Sequence, residues 1–378
     1  MKTYIISATF LAPILLVLQL NFILLHITPV FSAPLAPIPT SKASLQSWFA
    51  ANILPFDKRE ADLDPALVTD EKDVVIIKVR KDDSGQFKTL TEAVKSIPKA
   101  NTKRTIISIG PGAYKEKVTI ERDQPLVTLY GDPKDMPTLT FDGTSKKYGG
   151  TTLWLCHGLF QFFHGCQYHL RGEDLNSSPM PKLGSMDGQA VALTLVGENA
   201  ALYNCRFKGF QDTLCDLHGN HFFKDCYIEG MADFIFGNAK TIYLNAEIKA
   251  LWDLGGVITA HGREKPSDDT GYAFVHCSIS GVSNGQTYLG RLWKPYGKTV
   301  FLYTDMSSVV HPEGWSDNGK TGVDSTLYNA EYMCTGPGAN LQGRVKFAKK
   351  LTDAEAKPYM DLNYIGAAKW LLPPPQVK

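Results

Sequence analysis

The sequence has almost no charge imbalance. Its 378 residues carry 39 lysines and arginines against 38 aspartates and glutamates, a formal charge of +1. Neutralising a phosphate backbone needs a basic surplus, so the balance argues against a nucleic-acid binder. No second long apolar run follows the one at the N-terminus. Regular alternation of strands with long helices is missing too, which argues against a doubly wound sheet or a (β/α) barrel. Charged residues at 20% and apolar residues at 44% are ordinary globular values and rule out wholesale disorder. Cysteine is sparse and odd in number, seven in all, so at least one thiol stays outside any intrachain pairing.

What is present begins at the N-terminus. After Lys2, residues 3–41 contain no Asp, Glu, Lys or Arg, Tyr4 to Leu25 is almost wholly apolar, and Val30-Phe31-Ser32-Ala33 offers small residues for cleavage. A basic start, an apolar run and a small-residue exit predict a secretory signal peptide over 1–33, the alternative being an uncleaved anchor. The mature chain is then expected to be extracellular, with no membrane attachment. Residues 34–70, rich in proline and alanine and then in charge, read as an extended N-terminal arm. The main domain is expected over 71–345, and a C-terminal helix and tail packing on it over 346–378. Asn176-Ser177-Ser178 is the N-x-[ST] sequon and the candidate glycosylation site.

The informative feature is an internal repeat. Asn204-Cys205-Arg206-Phe207-Lys208-Gly209-Phe210-Gln211-Asp212 matches Asp225-Cys226-Tyr227-Ile228-Glu229-Gly230-Met231-Ala232-Asp233 at an offset of 21, and Gln189 lies 22 before Gln211. A period in the low twenties with alternating apolar residues predicts a solenoid of short parallel strands, an all-β parallel β-helix with short flanking helices. Two hairpins of a sandwich would not need one offset at several positions. Thr89-Leu90-Thr91-Glu92 and Thr352-Asp353-Ala354-Glu355 have capping-box spacing and open short helices.

Successive rungs of such a coil stack about 4.8 Å apart. Asp212 and Asp233 become lateral neighbours, with Gln211 beside Asp212 and Gln189 one rung below. Two carboxylates this close do not ionise independently, which suits one that donates a proton while the other attacks. Neutral amide donors beside a nucleophile suit a developing oxyanion at a carbonyl. The competing reading is a pair of turn aspartates bonded to local backbone amides.

Gln189-Ala190-Val191-Ala192-Leu193, Gly209-Phe210-Gln211-Asp212-Thr213-Leu214, Asp233-Phe234-Ile235-Phe236-Gly237 and Leu289-Gly290-Arg291-Leu292-Trp293 together resemble the motif series of the plant pectin methylesterases. Gly112-Ala113-Tyr114-Lys115-Glu116 resembles the family's early Gly-x-Tyr-x-Glu signature. The resemblance runs from about residue 72 to 372. It implies a right-handed parallel β-helix that hydrolyses methyl esters of homogalacturonan (pectin), of the short type without the inhibitor-like pro-domain. Carried over by position, it implies Asp233 as nucleophile, Asp212 as proton donor and Gln211 as transition-state stabiliser. It further implies Gln189 in substrate and oxyanion binding, Arg291 paired with the nucleophile, and Trp293 against a sugar. A monomer with no metal or organic cofactor is expected, located in the cell wall, with a proteinaceous pectin methylesterase inhibitor as a partner. Trp315 is a further candidate for the groove wall.

The sequence departs from the family pattern at Leu292, where proline is common, at Gly230-Met231-Ala232, and at Cys215, where tyrosine is frequent. Residues 156–174 fit it poorly. Gly281-Val282-Ser283-Asn284-Gly285 is a literal G-x-S-x-G, but Asn284-Gly285 is a turn signal and a strand follows, so a turn between rungs is expected rather than a nucleophile elbow. Cys156, His157, His164, Cys166 and His169 have metal-ligand types without a standard zinc spacing. Two other functions stay open on residues alone: a β-helical glycoside hydrolase, which also uses paired carboxylates, and a catalytically weak wall-binding protein.

Overall fold

The computed structural model describes residues 35–377, apart from 133, 149–159, 164–172, 183–187, 253–254 and 321–325. The expected signal peptide and the Cys/His cluster between 156 and 169 lie outside the described residues. Short strands of two to six residues, rich in β-branched and aromatic side chains, wind into a right-handed parallel β-helix. Every strand-to-strand ladder among the described residues is parallel, and strands along the coil form one seven-stranded and two eight-stranded sheets. A three-stranded sheet (Val75–Val79, Thr105–Ile109, Val127–Gly131) starts the coil.

The repeat seen in the sequence is the register of these rungs. Asn199 pairs with Asn220, Phe207 with Ile228 and Leu214 with Ile235. Further along, Thr259 pairs with Gly290, because longer turns are inserted between rungs. One residue in two points inward, so equivalent residues stack inside the coil. Phe223, Tyr243, Phe274 and Phe301 form such a column, with ring centroids 4.7, 4.5 and 4.6 Å apart and near-parallel planes. Each such contact adds roughly 0.5–1.5 kcal/mol beyond the area it buries.

The N-terminal end is closed by the helix Leu90–Ser96, whose Leu90, Ala93 and Val94 join the interior cluster. Thr89 caps it by accepting from the amide of Glu92. Glu116, the last residue of the Gly-x-Tyr-x-Glu run, accepts from the amides of Leu90 and Thr91 at 3.1 and 2.9 Å. That signature is therefore a helix anchor.

Residues 35–71 depart from the extended arm expected of them. They form helices at Leu45–Asn52, Phe56–Arg59 and Pro65–Glu71. Leu45, Trp48 and Phe49 lie on the outer face of the seven-stranded sheet with Phe222, Ile242 and Val300. Burying two aromatic rings there outweighs the alanine- and proline-rich composition. Beyond Thr352, whose capping box forms, a single turn of α-helix gives way to short 3-10 turns. Tyr359, Leu362, Ile365 and Leu371 from this segment complete the cover of the same sheet.

Candidate active site

One eight-stranded sheet carries the residues the sequence singled out. Its strands include Leu193–Val196, Leu214–Asp216, Ala232–Gly237, Gly256–His261 and Thr287–Arg291. Isolated parallel bridges join Gln189 to Gln211 and Gln211 to Ala232. The next residue on each of the latter two strands is an aspartate, so Asp212 and Asp233 sit side by side. Both adopt the left-handed conformation, with φ of 62° and 50°. That region is unfavourable for most side chains but tolerated by Asp, and strain of this kind concentrates at functional sites. Asp212 is buried, at 7% exposure, and its amide donates to the carbonyl of Ala232 at 3.0 Å.

Arg291 reaches Asp233 from two rungs further on. Its Nε donates to Asp233 Oδ1 at 2.6 Å and its terminal nitrogen to Oδ2 at 2.5 Å. This is the two-pronged geometry a carboxylate anion accepts from a guanidinium. Burial works against the Arg291 cation, but the hydrogen bonds and charge of Asp233, with Asp212 adding, outweigh it and raise its pKa above the ordinary arginine value. Asp233 is thereby held in one orientation while part of it stays accessible.

Trp293 is half-buried, edge-on to Phe236 at 6.0 Å, and packs on a small apolar cluster of Val191, Cys215, Phe236 and Ala260. A side chain at Gly262 would come within 2.9 Å of the Trp293 ring, so only glycine lets the indole lie this close to the strand. The structure thus places Gln189, Gln211, Asp212, Asp233 and Arg291 along neighbouring rungs of one sheet, with Trp293 two residues beyond Arg291.

Two expectations are corrected. Trp315 is no groove wall: it is fully buried against Phe301 in the coil interior, and its indole nitrogen donates to Glu331 Oε1 at 3.3 Å. Asn176 is 2% exposed, and its Nδ2 donates to the carbonyls of Gly143 and Val191, so the folded chain offers no nitrogen for a glycan there. Cys215 is wholly buried between Thr194 and Phe236 and adds no open contact. The other departures are accommodated locally. The amide of Leu292 donates to Ser316 at 2.8 Å, a bond proline could not make, and Met231 is buried. Ser283 lies in the turn between the strands Ser278–Gly281 and Thr287–Arg291, as its Asn-Gly neighbour predicts.

Sequence reasoning missed a polar network under the site. Asp216 ends the strand just downstream of Asp212 and is fully buried. Its carboxylate bonds His221, Thr241 (2.6 Å) and Tyr243 (2.7 Å), and its carbonyl accepts from Tyr272 (2.8 Å). Such a satisfied cluster fixes the strand whose other end carries Asp212.

The Pectinesterase family model matches residues 76–368. Pectinesterase 1 of Olea europaea is 47% identical over 354 residues, covering 93% of this chain and 95% of its own length. Among solved structures, the pectin methylesterase from carrot superposes with a TM-score of 0.70 at 29% identity, over 80% of this chain and 95% of the carrot chain. A pectin methylesterase solved in complex with a hexasaccharide superposes with a TM-score of 0.66 at 25% identity, over 80% and 99%. With a family model spanning most of the coil and a relative this similar over nearly its whole length, the chain belongs to the pectinesterase family.

Proposed function

We propose that this protein is a pectin methylesterase that hydrolyses galacturonate methyl esters in pectin through an acyl-enzyme on Asp233. The observation that carries the reading is the set of Asp212 and Asp233 on adjacent rungs, with Gln189 and Gln211 in register beside them and Arg291 forked onto Asp233. Family membership and the hexasaccharide bound to a relative support the substrate class.

In this scheme an Asp233 oxygen attacks the ester carbonyl carbon, and the amide groups of Gln189 and Gln211 donate to the oxyanion that forms. As the bond to the methoxy oxygen breaks, Asp212 gives that oxygen its proton and methanol leaves. Water then attacks the acyl-Asp233 carbonyl while Asp212 takes back a proton, freeing the galacturonate carboxylate and restoring Asp233. Arg291 holds the nucleophile throughout, and Trp293 offers an amphipathic ring to a sugar face. Every group in the scheme comes from one chain, so a monomer suffices.

Secretion to the cell wall rests on the uncharged, apolar stretch at 3–41, with residues 1–33 as the signal peptide. A proteinaceous pectin methylesterase inhibitor is the proposed protein partner. The test is methanol release from highly methylated pectin. Methanol with intact polymer length supports the esterase, shortened chains without methanol would establish a glycosidase, and binding with neither product would establish a wall-binding protein.

A further inference from the structure

The ladder that holds the two glutamines does not stop at the site. Gln211 pairs with Ala232, Ala232 with Val257, and Val257 with Tyr288. The bridge of Thr287 to Val310 brings His311 beside Tyr288. These residues form one stripe on the outer face of the sheet, and all are half-buried. Tyr288 lies three rungs from Gln211, roughly 14 Å at the strand spacing. Two small side chains, Ala232 and Val257, floor the space between.

Tyr288 and His311 stack with centroids 4.4 Å apart and planes 25° from parallel. With His311 covering one face of the Tyr288 ring, the other face looks back along the stripe toward Val257 and the carboxylates. The wall is rigidly built. The Tyr288 hydroxyl donates to Glu313 Oε2 at 3.2 Å, the Glu313 amide donates to His311 Nδ1 at 3.2 Å, and the His311 amide donates to the carbonyl of Thr287 at 2.8 Å. Arg344 holds the carbonyls of His311 and Pro312 from behind. Negative charge gathers on the wall: Glu313 is about half exposed, and burial together with Glu313 and Asp317 raises the pKa of the Tyr288 phenol.

We propose that Tyr288, buttressed by His311 and flanked by Glu313, is a distal subsite that accepts a methyl-esterified galacturonate unit and rejects a de-esterified one. This rests on the pectin methylesterase reading above. An aromatic face and an apolar floor suit a sugar ring and its methyl group. A free carboxylate there would stand against Glu313 and Asp317, a repulsive element of the kind specificity uses. The enzyme then works fastest inside fully esterified stretches and slows where earlier turnovers have left carboxylates at this distance.

The experiment compares methanol release from highly methylated pectin and from pectin with half its esters removed, at equal ester concentration. Wild type should favour the first substrate. Glu313→Gln, at an exposed position, should narrow that preference about threefold by lowering KM on the half-esterified substrate, the scale of a partly screened charge. Its kcat on highly methylated pectin should stay within about twofold of wild type. Tyr288→Ala should raise KM on highly methylated pectin about tenfold at unchanged kcat, the worth of one aromatic contact, and Tyr288→Phe should largely restore it. An unchanged preference in an active Glu313→Gln protein would overturn the subsite while leaving the esterase reading intact. So would a Tyr288→Ala defect confined to kcat. A wild-type chain that releases no methanol would overturn both.

Discussion

The nine-residue repeat is framed by two sharp corners of the coil, and both use the same backbone device. Asn204 and Asp225 open the repeat in the left-handed conformation, with φ of 53° and 56°, and Asp212 and Asp233 close it at 62° and 50°. At the opening corner the device continues rung after rung through Asn245, His276, Tyr303 and Met333. There the side chains serve one another. Asn245 Nδ2 donates to Asp225 Oδ1 at 2.6 Å, Lys224 and Gln46 bond the other oxygen, and His276 stacks on Tyr303. At the closing corner the neighbours are Arg291 and the two glutamines instead. Identical backbone geometry thus yields a structural seam in one place and a reactive pair in the other. What surrounds the carboxylate decides its use.

The sharpest way to break this contrast is to make the same change at both corners. Asp233→Asn removes the nucleophile and should lower methanol release at least ~10³-fold, as loss of a covalent catalyst does. Asp212→Asn keeps the shape but cannot shuttle a proton, and should be severely impaired while still binding pectin. Asp225→Asn should leave turnover within about twofold and cost about 1 kcal/mol of stability, the worth of a hydrogen bond. Equal losses of turnover at Asp225 and Asp233 would end the distinction. Next in size, Gln211→Ala should cost roughly 10²–10³ in kcat if its amide serves the oxyanion.

A third prediction concerns the interior beside the site. Burial pushes the His261 imidazole down to about 4, outweighing the hydrogen bond from its Nε2 side to the Ala239 carbonyl. Its folded pKa lies below the unfolded one, so its contribution to stability is complete above pH 6.5. That contribution falls as pH drops toward 4, by on the order of 3 kcal/mol. Urea midpoints at pH 7 and pH 4 should show a larger acid loss in wild type than in His261→Gln. An equal loss in both proteins would place the acid sensitivity elsewhere, with His276, whose pKa burial also lowers, the next group to substitute. The smallest effect is expected at Ser283→Ala, which should leave activity unchanged because Ser283 sits in a turn. Loss of activity in that folded variant, with labelling by a serine-directed phosphonate, would overturn the carboxylate scheme.

How much was legible follows from how local each signal is. The repeat announced the rungs because parallel stacking demands like residues at like positions, and one offset sufficed to pair Asp212 with Asp233. The Asp216 network left no such mark: His221, Thr241 and Tyr243 lie at separations that become neighbours only once the coil closes. Trp315 was misplaced because residue type does not say which face of a strand a ring takes, and its partner Glu331 sits on the next strand of the same turn. The sequon at Asn176 reads as a surface signal, yet the side chain turns inward to satisfy two carbonyls. Helix in residues 35–71 escaped notice because tertiary burial of Trp48 and Phe49, rather than local propensity, sustains it.

The seven-stranded sheet has a consequence for the order of events during folding. Its outer face is covered jointly by residues near 38–53 and near 359–371. Arg59 ties the two covers together by donating to the carbonyls of Ala368 and Leu371, and the Ile38 amide bonds the carbonyl of Met360. A coil of this kind can add rungs as the chain is synthesised, since each contacts only its neighbours. The clasp cannot form until its last residues have emerged, more than 300 positions after Arg59. Until that high-contact-order closure, the part of the apolar face that Tyr359, Leu362, Ile365 and Leu371 cover stays open. The nascent chain therefore carries its greatest aggregation hazard while its rungs are nearly all in place, and the final dozen residues of the cover are what remove it.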